Sequence, residues 1–289
     1  MRSADLRVAV AGLVVLGLAL AALGAPVLAP HDPLEMSPAL LAAPSPAHVL
    51  GTDSFGRDTL SRLLFGARTS LLIAALSVVA AAGIGAPLGI LSATYRGAVD
   101  WVVMRAIDLI LAFPPLILAI AAVTFLGTGP VKLAVIIGVL YLPTFARLAY
   151  ASSLAVVQKD YLDAARALGG STWRLMRRHV LPNIASPLIV QCSLSLGFVI
   201  LVESGLSFLG LGVPPPAATW GRMVSESRNY MQRMPLLLIW PSLAIALAIG
   251  AFNMLGDGLR DVLDPRLQHN WRRRRAVGVA RSPARIPQA

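Results

Sequence analysis

Four stretches of this chain, residues 8–30, 70–94, 109–131 and 234–256, contain no Asp, Glu, Lys or Arg. A helix needs about 20 consecutive apolar residues to cross a hydrocarbon core of about 30 Å, and each of the four is long enough. Two shorter stretches, 133–146 and 184–202, are equally uncharged. Six crossings are the natural count, with the fourth extending to Arg147 at an interface. Backbone N–H and C=O groups in lipid must be satisfied within their own segment, so each crossing is predicted to be helical. The implied fold class is an all-α integral membrane protein with six transmembrane helices. Composition agrees. The 289 residues are 56% hydrophobic and only 13% charged, with mean hydropathy +0.72, whereas a soluble domain is about one-quarter charged.

Arg2 and Arg7 precede the first stretch as they would in a signal peptide. The apolar run is longer than the roughly 7–15 residues of a signal's apolar region, so residues 1–30 are read as an N-terminus plus a retained span. The single cysteine, Cys192, excludes a disulfide framework and any Cys-based metal cluster.

With six spans the termini share a side. Placing them inside puts Arg2, Arg7, Arg96, Arg105, Arg147, Lys159, Arg166, Arg174, Arg177, Arg178, Arg260, Arg266, Arg272–Arg275, Arg281 and Arg285 in the cytoplasm, 18 of the 25 basic residues. Arg57, Arg62, Arg68, Lys132, Arg222, Arg228 and Arg233 remain outside. The positive-inside rule selects this orientation. The net charge of +11 therefore implies no nucleic acid, and the basic tail 269–289 is expected to lie against anionic lipid.

Between spans one and two, residues 31–69 divide into a Pro-rich external loop and an amphipathic helix. Proline fixes φ and removes a donor, so residues 29–48, with Pro30, Pro33, Pro38, Pro44 and Pro46, are predicted to be a packed loop. Thr52 or Asp53 can cap the helix after it. Leu60, Leu63, Leu64 and Ala67, at i, i+3, i+4 and i+7, predict an apolar stripe on that helix at the outer interface. Gly210, Gly212 and Pro214–Pro216 argue against regular helix in the loop 209–235.

The most informative loop joins spans four and five. Residues 160–183 read DYLDAARALGGSTWRLMRRHVLPN. Tyr161, Ala164, Ala165 and Leu168 form one stripe at helical spacing. Gly169 and Gly170 break that helix, and Ser171 can cap a second, striped by Trp173, Met176 and Val180. Pro182 marks the boundary before span five. Two short helices at an angle result, with small alanines on the elbow that admit a partner backbone and Arg174, Arg177 and Arg178 available to its acids.

This loop resembles the coupling-loop motif of ABC importer permeases: Glu-Ala-Ala, three residues, Gly, nine residues, Ile, one residue, Leu-Pro. The matching positions are Asp163, Ala164, Ala165, Gly169, His179, Leu181 and Pro182. Asp replaces the usual Glu, and His179 stands at the Ile position, a departure common in the peptide branch. Residues 50–71 (LGTDSFGRDTLSRLLFGARTSL), 108–115 (DLILAFPP), 203–212 (ESGLSFLGLG) and 256–266 (GDGLRDVLDPR) are similar to the second, C-type permease of the peptide/nickel branch. The likeness runs from about residue 5 to 268.

The resemblance implies a type I ABC importer transmembrane domain, with residues 70–268 as its core and the loop 158–183 as the coupling loop. It further implies a bacterial cytoplasmic (inner) membrane location, a second homologous permease, two ATP-binding subunits on the cytoplasmic face and an external substrate-binding protein. Asp160, Tyr161, Asp163, Ala164, Ala165, Arg166, Gly169, Arg174, His179, Leu181 and Pro182 would dock the ATPase. The chain itself would be no enzyme and bind no cofactor or metal, ATP and Mg being used by the partner subunits. Lysine placement agrees independently. A P-loop needs Gly immediately before Lys, and the only lysines, Lys132 and Lys159, come after Val131 and Gln158.

Two acids near span ends draw attention as candidates for the translocation path. Asp108 is read first as a local ion pair with Arg105, and second as a substrate contact. Glu203 either lines the translocation mouth or caps the turn 204–212. Arg147 is read as an interfacial residue whose charge reaches water. A secondary transporter is the rival reading, but it calls for carboxylates at mid-membrane, and the spans broken at Pro87, Pro114, Pro115 and Pro143 carry none at that depth. A membrane hydrolase would show HExxH or GxSxG; neither occurs, and the four histidines are scattered. The short loops leave a receptor-like scaffold little recognition surface. Within the family, dipeptides, longer peptides, nickel chelates, glutathione and haem remain open as substrates.

Overall fold

The computed structural model describes residues 2–263, with side chains from Leu6 onward; the basic tail 269–289 lies outside the described residues. The only β pairing among them is an isolated bridge between Thr52 and Asp58. Helix α1 (Arg2–Leu23) is followed by the short α2 (Ala25–Leu28), then by α3 (Thr59–Tyr95), α4 (Gly97–Leu111), α5 (Pro115–Leu126) and α6 (Pro130–Val157). The elbow holds α7 (Asp160–Ala167), α8 (Thr172–Leu175) and a π turn (Met176–Val180). The chain continues with α9 (Leu181–Phe208), α10 (Trp220–Ser227), a 3-10 turn (Arg228–Tyr230) and α11 (Leu236–Leu263). Five helices are long and apolar enough to cross a membrane, and the bent pair α4–α5 makes a sixth span when counted as one.

That pair corrects the third crossing. The uncharged stretch 109–131 is not one straight helix: α4 and α5 meet at 90°. The cause is local. Proline disfavours helical geometry in the residue before it, so Pro114 and Pro115 together stop α4 and open α5, with Pro115 at its first turn.

The second crossing differs in the opposite sense. Residues 59–69 do not form a separate interfacial helix. They are the first turns of α3, whose 37 residues span about 55 Å at 1.5 Å each. The cap is Asp58, not Thr52 or Asp53: its Oδ2 accepts from the Ser61 N–H at 2.8 Å. Gly51 (φ +79°) and Gly56 (φ +74°) hold the preceding residues in turns that delay the helix. The apolar stripe is only partly enclosed within the bundle. Ala67 is buried, but Leu60, Leu63 and Leu64 are half-exposed, while Ser61, Arg62 and Ser70 are buried.

Helix α3 packs along α6, and small residues set the distance. A Cβ on Gly85 would lie 2.6 Å from the Leu142 carbonyl oxygen, and one on Gly89 2.2 Å from that of Ala146. Close backbone approach across a small-xxx-small pair is a standard route to helix association in lipid. The Ser77 hydroxyl adds a bond to the Ala134 carbonyl at 3.0 Å. Gly89→Val is therefore expected to cost about 3 kcal/mol, the upper end for overpacking, read as a lower melting temperature of the detergent-solubilised protein. Gly83→Ala meets nothing within 4 Å and should leave melting unchanged; equal melting of the two variants would show that the α3–α6 crossing is not set by Gly89.

On the other side of the bundle α9 packs against α11. A Cβ on Gly256 would fall 2.7 Å from Leu194 Cδ2, and the Ser193 hydroxyl donates to the Phe252 carbonyl at 2.9 Å. Helix α1 lies on α11, with Val8 over Gly258. Helix α10 lies within the loop 209–235, where no regular helix was expected, because the glycines and prolines end at Pro216 and Thr219 then caps a new helix by accepting from the Arg222 N–H. The bundle thus has two distinct ends. Residues 29–58 and α10 gather at one; the elbow 158–183 projects at the other, beside the α3–α4 turn.

Candidate functional site

The elbow has the two arms read from the sequence, with their faces partly exchanged. In α7, Leu162 is buried at 1% exposure, while Tyr161 (43%) and Leu168 (88%) face outward. Ala164 is exposed and Ala165 half-buried. Asp160 sits at the start of the arm. Asp163 and Arg166 pair at 2.8 Å, both largely exposed, so the pair adds little stability. Gly169 turns the chain at φ +84°, a left-handed conformation that glycine takes without Cβ strain. Ser171 caps the second arm, its Oγ accepting from the Arg174 N–H at 3.4 Å.

In the second arm Leu175, Met176 and Val180 are buried beneath the elbow, joined with Leu162, Ile184, Val156 and Val157 in one small core. Trp173, expected in that stripe, points outward at 66% exposure. Arg174, Arg177 and Arg178 are exposed. His179 is half-buried, its ring tilted toward Tyr161 with centroids 6.0 Å apart.

Pro182 does not end the arm. Residues 172–208 run as a continuous span, with Leu181 and Pro182 exposed on its outer side. The π turn makes this possible. Leu181 N–H bonds the Met176 carbonyl five residues back, and the Asn183 side chain donates to the His179 carbonyl at 2.6 Å. The second arm is a rigid extension of α9. Together the arms present Tyr161, Leu168 and Trp173 outward, with arginines around them. A groove lined by Thr94, Tyr95, Arg96, Gln158, Asp163 and Arg166 separates the elbow from the α3–α4 turn.

The two acids named for the translocation path have other partners. Asp108 Oδ1 accepts from Arg147 Nη2 at 2.6 Å, while Arg105 lies at 3.8 Å. The local pair is thus the weaker one, and Arg147 ties α6 to α4 instead of reaching for solvent alone. Glu203 is fully buried, at 0% exposure, within α9. It accepts from Ser207 at 2.7 Å and from Ser70 of α3 at 3.1 Å. A carboxyl enclosed among hydroxyls lines no open mouth, and since α9 continues to Phe208 it caps no turn. It joins α9 to α3.

Sequence reasoning missed a charged cap at the opposite end. Arg57 Nε meets Asp53 Oδ2 at 2.7 Å, and Arg57 and Arg62 each reach Glu226 Oε2, at 3.1 and 3.0 Å. Arg222 holds the other oxygen of Glu226 at 2.7 Å. The segment before α3 is thereby bound to α10. Trp220 completes the joint, buried with its indole N–H on the Leu63 carbonyl at 3.1 Å. The charges of the GRD segment were visible, but no spacing rule pairs Arg57 with Glu226.

Two of the histidines that look scattered in sequence are neighbours. His31 and His48 lie with ring centroids 4.8 Å apart beside Asp58. Burial would raise the Asp58 carboxyl, but hydrogen bonds from Ser61 and His48, together with the nearby His31, outweigh it and hold the group below its ordinary value.

Comparison with known proteins gives a consistent result. Residues 85–269 match the family model described as the binding-protein-dependent transport system inner membrane component. The chain is 44% identical over 260 residues to the glutathione transport system permease protein GsiD of Pectobacterium atrosepticum, covering 89% of this chain and 86% of that one. It is 42% identical to the di/tripeptide transport system permease protein DppC of Pseudomonas aeruginosa, over 89% and 87% of the two chains. It is also 42% identical to the probable D,D-dipeptide transport system permease protein DdpC of Escherichia coli, over 92% and 89%. Among solved structures, an inward-facing MetNI methionine ABC transporter aligns with a TM-score of 0.53 at 18% identity, covering 68% of this chain and 96% of that one; this likeness bears on the fold alone.

Proposed function

Because the chain belongs to the family of binding-protein-dependent transport system inner membrane components, we propose that it is the C-type permease of an ATP-driven importer of small peptides. It lines half of a translocation path in the bacterial inner membrane, with both termini cytoplasmic. A second homologous permease completes the path, two ATP-binding subunits sit under the elbow, and an external binding protein delivers substrate to the charged cap. The chain carries no catalysis; ATP and Mg are used by the partner subunits. Family membership sets aside an ion-coupled secondary transporter.

The observation that carries this reading is the elbow. Its second arm is capped by Ser171 and continuous with α9, yet Tyr161, Leu168 and Trp173 are left facing outward. A lever that is rigid along a spanning helix and apolar at its tip can convert closure of an ATPase dimer into movement of the bundle. Nucleotide binding then shifts the population between inward- and outward-open states. Asp108, tied to Arg147 across α4 and α6, lies where the bent third crossing meets the bundle and is a candidate to respond to that movement.

Peptides are the proposed substrates because the relatives named for di/tripeptides, D,D-dipeptides and glutathione, itself a tripeptide, all match nearly the whole chain. The test is uptake. The complete transporter in proteoliposomes with ATP trapped inside, supplied with its binding protein, should accumulate labelled di- or tripeptide and stop when a non-hydrolysable ATP analogue replaces ATP. Uptake that survives without ATP but depends on a proton gradient would overturn the proposal.

A further inference from the structure

At the cap end of the bundle three potential metal-ligating atoms converge from three separate segments. His31 lies just after α2, His48 lies in the Pro-rich loop and Asp58 is the N-cap of α3. Their ligand atoms all lie within 4.8 Å of one another. His48 Nδ1 is 3.0 Å and His31 Nδ1 3.8 Å from the same oxygen, Asp58 Oδ1.

Two features distinguish this cluster from an ordinary capping arrangement. His31 Nδ1 is shut off from solvent and makes no hydrogen bond, although buried polar atoms are nearly always partnered. The Asp58 carboxylate is divided by function. Oδ2 is committed to the Ser61 backbone N–H and hydroxyl, both at 2.8 Å, which leaves Oδ1 directed at both imidazoles. Such hydrogen bonding from behind orients a carboxylate ligand in metal sites. The histidine rings are only half-buried, so they can rotate to admit a cation.

We propose that His31 Nδ1, His48 Nδ1 and Asp58 Oδ1 form a binding site for one borderline divalent transition-metal cation of the zinc class. Two neutral imidazole nitrogens and one carboxylate oxygen are the donors that suit zinc, with a fourth, water-filled position. Ligand distances of about 2.0–2.2 Å place ligand atoms roughly 3.3 Å apart, so small ring rotations of His31 bring the three into range. Bound there, the cation satisfies the orphaned nitrogen and clips residues 31, 48 and 58 together, fixing the loop beneath the charged cap. Binding is independent of what the bundle transports.

The test uses the intact transporter carrying a tag without histidines, stripped with a chelator and titrated with zinc in competition with a chromophoric chelator. One zinc per copy of this chain is expected to be lost in His31→Ala, with affinity down by about 100-fold or more, beyond the cost of an outer-shell partner. His31 is the informative position because its Nδ1 makes no hydrogen bond. Asp58→Asn, which keeps a good N-cap, should also bind less zinc while its unstripped melting temperature stays near that of His31→Ala. Cobalt in place of zinc should give a visible ligand-field band in the wild type and none in His31→Ala. Equal zinc stoichiometry and affinity in wild type and His31→Ala, or no zinc on the wild type, would overturn the proposal.

Discussion

Glu226→Ala is expected to destabilise the chain by about 3 kcal/mol, the low end of the range for removing one partner of a buried ion pair. The reason lies in what is left behind. Arg57 and Arg62 are only 5% and 1% exposed at their side chains, and both direct an Nη2 at Glu226 Oε2. Arg62 already has one unpartnered buried nitrogen, Nη1. Removing Glu226 leaves two enclosed guanidinium groups sharing Asp53 alone, at 2.7 and 3.3 Å. Retention of Asp53 is why the low end applies. Glu226→Gln keeps an acceptor but removes the charge and should fall between wild type and Ala. Loss of the α10 joint should also be felt at a distance, since Trp220 rests on Leu63 and Ser70. The measurement is the melting temperature of the solubilised protein, with Arg233→Ala, exposed at the same end, as the control. If Glu226→Ala melts with the control, the network does not hold the cap.

Most of the bundle was legible because lipid makes a single demand, a long uncharged helix, and α1, α3, α6, α9 and α11 answer it. Where the structure departs from the reading, a second demand competes within the same residues. Residues 109–131 satisfy hydropathy, but Pro114 and Pro115 impose a corner that hydropathy does not register. The start of α3 shows the reverse. The apolar stripe at Leu60, Leu63 and Leu64 suggested a separate interfacial helix and gave no sign that Arg62 between them is buried, which is possible because a guanidinium partnered by Asp53 and Glu226 can be enclosed. Spacing along one helix cannot reveal a partner far along the chain. The same blindness hid Glu203, whose hydroxyl partner Ser70 lies on another helix, and the pairing of His31 with His48. Within the elbow the arms, the glycine break and the Ser171 cap were readable from local chemistry. Which faces they bury was not: Leu162 turns inward and Trp173 outward because α7 and α8 pack on the ends of α6 and α9.

The exposed face of the elbow leads to the second large effect. Ala164→Asp with Arg174→Glu is expected to release the ATP-binding subunits while the chain remains folded in the membrane. Both positions are exposed on their arms, and substitutions at such sites usually change stability by less than about 0.5 kcal/mol. Docking is another matter. In the proposed docking mode Ala164 is the small residue that lets a partner approach the first arm, and a carboxylate there would have to be desolvated against it. Reversing Arg174 places a negative charge where a partner's acid is expected. A hot-spot loss of about 2 kcal/mol weakens association roughly 30-fold, since every 1.4 kcal/mol is tenfold. Pull-down of the solubilised complex should therefore recover this chain with little ATPase, and substrate-stimulated ATP turnover should be lost. The control is Arg233→Glu, an equal charge reversal at the opposite end of the bundle, which should leave docking intact. Gly169→Ala should be milder. Its φ of +84° makes a side chain cost about 1–2 kcal/mol of strain, tilting the first arm without altering the contact face, so coupling should fall while some ATPase stays bound. An intact, substrate-stimulated complex in the double variant would mean that the ATPase docks elsewhere, and that the outward-facing Tyr161, Leu168 and Trp173 meet lipid headgroups instead.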